Sequence, residues 1–432
     1  MSLHEESSGL LRTHVNWEDI ENEVRLSLAT EARFGENKNV ENIGNMKGFM
    51  SRIALIEPDW TSESQNLPKK LIVKIASQLS FIELAKLMNF GNSSEKIEMD
   101  SEKLAKMEFV IRILHNRECD VYEMLQRQKF FQIPIPWILG SRKFSAENPL
   151  KAYIIFEPNA QKIENINSFE NFELAEVEKI VKTIAEFSSL GEILPKDQLD
   201  FAGDSDLLAH IMAEFSEPKM QENCFAQIRG AFLGGSDDGN AQKYGEKVEK
   251  LIEIYRLLLS PKILANIGRA AEIVGHRTSL IHGDLWSSNF LCRKNPHPEM
   301  LAIIDWQTVA FGAPGQDLAR LFMNVLSTEN RRAHLEHLLG IYFQTIAENA
   351  ENSGNLAPFT LEQLKKSYQL LFPTISILVL PGIIPFLEMA SGIQEEQKMY
   401  VRKLAFEKIC GLLDDVLKAH EENLKDFPQF FE

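Results

Sequence analysis

The sequence has few cysteines and no apolar segment near its start. Four cysteines stand in 432 residues, at positions 119, 224, 292 and 410, too far apart to indicate a zinc site or a disulfide framework. Free thiols fit a reducing compartment. The first residues, MSLHEESSGLLRTHVNWEDIENEV, lack the apolar region of a signal peptide and the basic character of a transit peptide. We therefore expect a cytoplasmic protein.

Basic residues are fewer than acidic ones, 46 Lys and Arg against 62 Asp and Glu. The formal net charge is −16 and the pI is about 5.2. Binding to nucleic acid or to an anionic membrane surface needs a basic face, so we expect no nucleic-acid partner. Hydrophobic residues make up 44% and charged residues 25% of the chain, as in an ordinary globular protein with a sizeable core.

One stretch, LLFPTISILVLPGIIPFL at 370–387, is long and apolar enough to suggest a membrane span. It contains Pro373, Pro381, Gly382 and Pro385, and a spanning helix seldom holds so many helix breakers. We predict no membrane span here. We expect a buried helix that breaks near Pro381 and Gly382 and continues as another buried segment.

The apolar spacing changes near residue 158. Before it, strand patterns occur at 49–56, 66–76 and 152–156, with helical patterns at 16–34 and about 80–128. After it the chain is mostly helical, except for the strands FLCR (290–293) and MLAIIDW (300–306). We predict an α+β fold with a strand-rich lobe at 1–158 and a mostly helical lobe at 159–432. A junction between lobes is a favoured place for a ligand cleft.

The segment LIHGDLWSSNFL, at 280–291, places polar side chains inside an otherwise buried pattern. It contains His282, Asp284 and Asn289 in the order H-x-D-x-x-x-x-N. Phosphoryl transfer needs a carboxylate to orient the attacking hydroxyl and ligands for metal ions. We predict that Asp284 is the catalytic base, that Asn289 binds Mg²⁺ and that His282 holds the loop in shape.

Asp305 closes the apolar strand that follows this loop. A carboxylate at the end of a buried strand is costly without a cationic partner, and Mg²⁺ prefers carboxylate oxygens. We predict that Asp305 is the second metal ligand. The structural alternative is a turn residue or a helix N-cap.

Lys74 interrupts the apolar strand LIVKIA. We predict that it binds the phosphates of ATP and is held by a glutamate from the following helix. Glu118 is the favoured partner, with Glu123 and Glu108 as rivals. The alternative is a lysine on an edge strand that points to solvent.

Two further segments are candidates for contact with the nucleotide. The loop GNMKGFMS, at 44–51, precedes the Lys74 strand, and Gly44 and Gly48 would allow the backbone to approach the phosphates closely. Ser51 could donate a hydrogen bond there. At the end of the third strand, backbone groups around Glu157 could pair with the adenine edge, although an ordinary linker fits this position too.

The segments LIHGDLWSSNFL, AIIDWQ and GAPGQDLARLF, together with LIVKI and ECDVY upstream, carry a family resemblance. They resemble the choline kinase and aminoglycoside phosphotransferase-like families, and more narrowly the ecdysteroid kinase-like (CHK kinase-like) branch and its nematode relatives. The resemblance implies a bilobal protein-kinase-like fold with ATP and Mg²⁺ between the lobes. It also implies that Asp317 is a buried residue that braces the catalytic loop.

Departures from protein kinases favour a small-molecule hydroxyl as the phosphate acceptor. Trp286 stands two residues after Asp284, where a lysine is usual in Ser/Thr kinases, and Trp306 follows Asp305 in place of a phenylalanine. Both tryptophans could wall a substrate pocket or could be core residues. Choline-like amines, sterols and other hydroxylated metabolites all fit as acceptors. The competing function is a catalytically silent kinase-like module that binds a ligand or acts as a scaffold.

Overall fold

The computed structural model describes most of the chain in two compact units. The described residues are 2–44, 50–62, 67–83, 101–158, 164–166, 170–203, 216–233, 238–294, 296–389 and 394–432. The first unit comprises 1–128 and 135–162, and the second comprises 129–134 and 163–432.

The first unit is built on an antiparallel sheet. Its strands in the described residues are β1 (Asn39–Asn42), β2 (Ser51–Glu57), β3 (Leu71–Ala76), β4 (Trp137–Arg142) and β5 (Tyr153–Glu157). Their order is β1-β2-β3-β5-β4, so that the strand carrying Lys74 lies in the middle. A lysine on a central strand is not the edge-strand lysine that the structural alternative required.

One face of this sheet carries the core of the first unit. Val73 and Ile75 of β3 pack with Ala54 and Ile56 of β2 and with α1 (Trp17–Ser27). The predicted helix at 16–34 was too long. It ends at Ser27 because the backbone turns into the left-handed region at Ala29 (φ 48°), which no helix tolerates.

The opposite face is only partly covered by the described residues. Lys74 lies on it with Ile72, and across the β2–β3 register Ile53 pairs with Lys74 and Leu55 pairs with Ile72. All four are half-buried, because alternate side chains of a strand point to opposite faces. Helix α2 (Ser101–Arg127) carries Glu118 among its buried residues.

The second unit is mostly helical. Its helices are α3 (Leu174–Ile193), α4 (Pro218–Leu233), α5 (Asp238–Leu258), α6 (Pro261–Ile267), α7 (Ala270–Val274), α8 (Gly315–Val325), α9 (Thr328–Asn352), α10 (Leu361–Met389), α11 (Glu395–Asp426) and α12 (Pro428–Phe431). The largest helix contacts join α8 to α10, α3 to α9 and α10 to α11. The predicted α+β class, with a strand-rich unit and a larger mostly helical unit, is confirmed.

Short strands flank the predicted catalytic loop in this unit. They are β6 (Glu164–Asn165), β7 (Ser279–Ile281), β8 (Phe290–Lys294), β9 (Pro298–Ile303) and β10 (Ala310–Gly312). β8 and β9 form an antiparallel hairpin, and β6 pairs with the other edge of β8. β7 pairs with β10 in a separate two-stranded sheet. The loop at 282–289 therefore leaves one small sheet and enters another, which fixes both of its ends.

Helix α10 contains the apolar stretch at 370–387. The predicted break near Pro381 is wrong, because the helix runs from Leu361 to Met389. A proline removes one backbone hydrogen bond, and in a helix packed against α8 and α11 the tertiary contacts can compensate for that loss. Among the helices of the described residues, none is long and apolar enough to cross a membrane.

Candidate functional site

The backbone of the loop after β7 is held by one buried carboxylate. Asp317, near the start of α8, accepts hydrogen bonds from the backbone N–H of His282 (2.7 Å) and of Gly283 (2.8 Å). Burial raises the pKa of Asp317 to about 7, against the lowering effect of these two donors. Asp317, which the family resemblance implies is a brace for the loop, is therefore in direct contact with the loop backbone.

Gly283 is needed for the shape of this loop. Its φ is +85°, a region that side chains rarely adopt, and a Cβ at this position would lie 2.5 Å from the carbonyl oxygen of Thr308. The hydroxyl of Thr308 also donates to the carbonyl of His282 at 2.8 Å. The loop is therefore packed tightly against the segment after Asp305.

The imidazole of His282 connects the backbone of Asp284 to the backbone of Ile304, the residue before Asp305. One ring nitrogen lies 3.2 Å from the carbonyl oxygen of Ile304, and the other accepts from the backbone N–H of Asp284 at 3.2 Å. Burial lowers the pKa of His282 to about 4, so the ring is neutral near pH 7. This geometry fits the predicted role of holding the loop, since both nitrogens are bound to the backbone.

Asp284 and Asn289 are in contact. The side-chain amide nitrogen of Asn289 donates to the backbone carbonyl of Asp284 (2.8 Å) and to its carboxylate oxygen Oδ2 (3.2 Å). Both bonds use Nδ2, so the amide oxygen of Asn289 is not used in either of them. The side chain of Asp284 is 23% exposed.

The other oxygen of Asp284 has two partners that the sequence reasoning did not assign. Arg320 of α8 forms an ion pair with Oδ1 at 2.6 Å, and the indole N–H of Trp286 donates to the same oxygen at 2.6 Å. Burial raises the pKa of the Asp284 carboxyl, and the charge of Arg320 opposes that rise.

Asp305 is brought to this loop by the β8–β9 hairpin. The hairpin pairs Phe290 with Ile303, and the next residues continue the pairing, because the N–H of Ile304 donates to the carbonyl of Asn289 at 2.9 Å. Asp305 follows directly, with a left-handed backbone (φ 65°, ψ 50°). It precedes a short 3₁₀ turn (Trp306–Thr308) without making a side-chain cap, so the N-cap alternative is not met, whereas its left-handed backbone fits the alternative of a turn residue.

The donor set fits a magnesium ion better than a transition metal. The described residues contain no cluster of three or more histidine, cysteine or acidic side chains that would hold a metal alone. Mg²⁺ is commonly held by only one or two protein oxygens, with waters and phosphates completing its shell. The amide oxygen of Asn289 and the carboxylate of Asp305 are oxygen donors of the type that Mg²⁺ prefers.

In the first unit, Lys74 forms an ion pair with Glu118. The distance from Nζ to Oε2 is 2.6 Å, and the side chains are 15% and 1% exposed. The rival glutamates bind elsewhere: Glu123 pairs with Lys143 at 3.0 Å, and Glu108 pairs with Arg112. β3 and α2 thus supply a lysine oriented by a buried carboxylate, and this pair lies on the half-buried face of the sheet.

Three of the other predicted nucleotide contacts lie at the ends of strands of the first sheet or beside them. Gly44 lies against β2, where a Cβ would stand 3.0 Å from the side chain of Ile53. Ser51 is buried at the start of β2, two residues before Ile53 and on the same face. Glu157 ends β5 and pairs with Trp137 of β4. Gly48 lies outside the described residues.

The two tryptophans beside the predicted catalytic aspartate and metal ligand differ in surroundings. Trp306 is fully buried, its ring lies 4.6 Å from the rings of His282 and Phe187, and its indole donates to the carbonyl of Ile303. It is a core residue. Trp286 is half-buried, and the guanidinium of Arg320 lies 4.7 Å from the centre of its ring.

The chain is similar to known proteins in sequence and in structure. An uncharacterized kinase-like protein of Caenorhabditis elegans is 23% identical over 401 residues, which cover 88% of this chain and 93% of that protein. Among solved structures, a microcompartment-associated aminopropanol kinase has a TM-score of 0.43 at 12% identity, with 94% of this chain and 98% of that one covered. A choline kinase from Streptococcus pneumoniae has a TM-score of 0.36 at 15% identity, with 90% and 99% covered.

The family assignment rests on nearly the whole chain. Residues 3–424 match the family DUF1679, whose description reads "Uncharacterized oxidoreductase dhs-27". The predicted resemblance to nematode kinase-like proteins is confirmed by this family match and by the kinase-like relative from Caenorhabditis elegans. The chain belongs to the DUF1679 family.

Proposed function

We propose that the protein is an ATP- and Mg²⁺-dependent kinase that phosphorylates a hydroxyl group of a small molecule. The observation that carries this proposal is the contact between Asp284 and Asn289. It places a partly exposed aspartate side chain beside an amide whose oxygen takes part in neither of the two bonds to Asp284, so that this oxygen is available to a metal ion in the proposed function. The word oxidoreductase in the family description is not the basis of the proposal, which rests on these side chains and on the kinase-like relative.

In the proposed reaction Asp284 orients the acceptor hydroxyl and accepts its proton. The acceptor oxygen forms a bond to the γ-phosphorus, and the bond from that phosphorus to the bridging oxygen breaks, so that its electron pair leaves with ADP. Asp284 then releases the proton to water. Phosphoryl transfer depends mostly on positioning and charge stabilisation, so one well-oriented carboxylate is sufficient.

Asn289 and Asp305 are the residues that would hold Mg²⁺, which supplies positive charge to the transferring phosphoryl group. Lys74 would bind the phosphates of ATP, with Glu118 fixing its ammonium group. Around Lys74, the half-buried side chains Ile53 and Ile72 give the sheet an apolar face that suits the adenine ring. We also propose the 44–51 loop and the backbone near Glu157 as nucleotide contacts.

A small-molecule acceptor remains our proposal for the substrate class. The lysine that protein kinases carry two residues after the base is replaced by Trp286, and no A-P-E sequence follows Asp305. The catalytically silent alternative draws support from a different observation: Oδ1 of Asp284 is already bound by Arg320 and Trp286. A carboxylate that serves only structure would be satisfied in the same way.

The test incubates the full chain with Mg-ATP and pooled alcohols, including choline-like amines, sterols and amino sugars. Mass spectrometry then follows the gain of one phosphoryl group. We expect a product with the wild type and none with Asp284→Asn. The control is Asp414→Asn, which alters an exposed aspartate paired with Lys247 and should leave the yield unchanged.

Binding and turnover separate the two functions. Stabilisation by Mg-ATP in a thermal-shift assay, weakened by Asp305→Asn, combined with turnover supports the kinase. Stabilisation without turnover on any acceptor supports the silent ligand-binding protein. Equal yields from the wild type and Asp284→Asn would exclude the proposed catalytic base.

A further inference from the structure

Arg320 is a buried arginine whose charge is directed at the proposed catalytic base. Its side chain is 7% exposed, and Nη2 lies 2.6 Å from Oδ1 of Asp284. An arginine is seldom buried this far, because burial of its charge is costly unless a specific partner compensates. Burial lowers the pKa of Arg320, and the charge of Asp284 opposes that lowering.

Trp286, which lies in the loop, contacts both Asp284 and Arg320. Its indole N–H donates to Oδ1 of Asp284 at 2.6 Å, and the guanidinium of Arg320 lies over its ring at 4.7 Å. The two donors of Oδ1 therefore also contact each other through a cation–π interaction. Asn289 donates to Oδ2, the other oxygen. Together these contacts distinguish the two carboxylate oxygens of Asp284.

We propose that Arg320 is a positioning residue that fixes Oδ1 of Asp284, so that Oδ2 is the oxygen which meets the acceptor hydroxyl. This inference rests on the proposed kinase function. The terminal torsion of an aspartate is broad, so the carboxylate plane is not fixed by the backbone alone. Two donors, each 2.6 Å from the same oxygen, fix that plane. The orientation of a reacting group contributes strongly to the reaction rate.

The chemistry of this contact favours arginine over lysine. A guanidinium is planar, so it can lie flat on the indole of Trp286 while an N–H group in its plane reaches the carboxylate. A lysine ammonium would keep the charge but would lose the flat contact. Arg320→Lys therefore separates the charge from the geometry, and Arg320→Met removes both.

The kinetic test compares Arg320→Met, Arg320→Lys and Trp286→Phe with the wild type. Arg320→Met should lower kcat about 100-fold, because a shift of the base by about 1 Å has an effect of that order. The KM for ATP should change less than about twofold, since Arg320 acts through the base and not through the nucleotide. Arg320→Lys should restore part of kcat. Trp286→Phe, which keeps a ring but loses one donor, should lower kcat about tenfold.

A matched control is available in the same unit. Arg331 is also a buried arginine, 2% exposed, with Nη2 lying 2.5 Å from Oδ2 of Asp415. Arg331→Met removes a comparable buried ion pair without touching Asp284. If both methionine variants lower kcat equally after correction for the folded fraction, Arg320 has only a structural role. An increase in the KM for ATP at unchanged kcat would also overturn the inference.

A second measurement decides the inference even if the protein shows no turnover. Crystal structures of the wild type and Arg320→Met report the orientation of the Asp284 carboxylate directly. We expect the plane to rotate and the contact between Oδ2 and Asn289 to be lost in the variant. An unchanged carboxylate would refute the positioning role. Absence of phosphotransfer by the wild type would refute the proposed function but not the positioning of Asp284. If Arg320→Met does not fold, Arg320→Lys and Trp286→Phe replace it in both experiments.

Discussion

Replacing Lys74 by methionine tests the ion pair that we assign to phosphate binding. The substitution retains most of the apolar length of the side chain and removes its charge. Glu118, which is 1% exposed, then loses a cationic partner at 2.6 Å. The effect on folding is measurable without nucleotide, and the effect on binding is measurable without an acceptor.

Breaking a buried ion pair by removing one partner costs about 3–5 kcal/mol, because the remaining charge loses its compensation. Lys74 is 15% exposed, so some water reaches the pair, and we expect the lower value, about 3 kcal/mol. Changing Glu118→Gln in the same chain removes the remaining charge. The double variant should therefore regain roughly half of that loss.

The assay is urea unfolding of the wild type, Lys74→Met and the double variant, together with ATP titration in the presence of Mg²⁺. A charge-assisted hydrogen bond contributes about 1.5–3 kcal/mol, so the Kd for ATP should rise roughly 10- to 150-fold in Lys74→Met. The matched control is Lys70→Met. Lys70, the residue directly before β3, pairs with Glu57 at the end of β2 at 3.1 Å, but these side chains are 52% and 50% exposed. Its loss should cost below about 1 kcal/mol and leave ATP binding unchanged.

Two results would refute this reasoning. If Lys74→Met and Lys70→Met cost the same, the buried pair has no special energetic role. If Lys74→Met is destabilised as expected but binds ATP like the wild type, the pair stabilises the fold and does not serve the nucleotide.

Three further outcomes follow from the second unit. Gly283→Ala should destabilise the fold by more than about 2 kcal/mol in chemical unfolding, whereas Gly354→Ala, also at positive φ (+72°) but with open space around it, should cost only about 1 kcal/mol; equal costs would contradict the steric argument. Asp317→Asn keeps one acceptor for two backbone donors, so it should lower both the Tm and kcat, and an unchanged kcat would argue against its brace on the loop. Burial lowers the pKa of Lys408 to about 7, below its unfolded value of about 10.4, so the unfolded state binds more protons between these values. The free energy of unfolding of the wild type relative to that of Lys408→Met should accordingly rise with pH from about 7 to about 10 and stay constant below 7. If urea titrations show that this difference does not change with pH, the lysine is charged in the folded protein.

Much of the architecture could be predicted because periodicity is local. The strand LIVKIA and the hairpin strands around 290 and 303 follow alternating or continuous apolar patterns, and the structure has strands there. The ends of elements were less predictable. Nothing in the pattern at 16–34 shows that Ala29 turns left-handed, and the prolines of α10 suggested a break that the packing of the helix overrides.

The partner of Asp284 could not be read from the sequence for a related reason. Arg320 stands three residues after Asp317 on one helix, and that spacing favours an ion pair between the two. The structure uses them differently: Asp317 accepts from the loop backbone, and Arg320 reaches the Asp284 side chain. A signal was available in the apolar surroundings of Arg320, since a charge within LARLF implies a partner, but the sequence does not show which one.

Helix α8 explains why both contacts exist together. All of its residues from Gly315 to Val325 are buried, so none of its polar side chains can rely on water for hydrogen bonds. Asp317 and Arg320 must therefore find partners inside the protein, and the loop at 282–284 supplies them. Rotating α8 would leave a carboxylate and a guanidinium unsatisfied at once, so core packing and loop geometry are coupled. Repacking of the buried apolar residues of α8, such as Leu318→Ala, should consequently lower kcat as well as stability, although this side chain is not among the contacts described for Asp284.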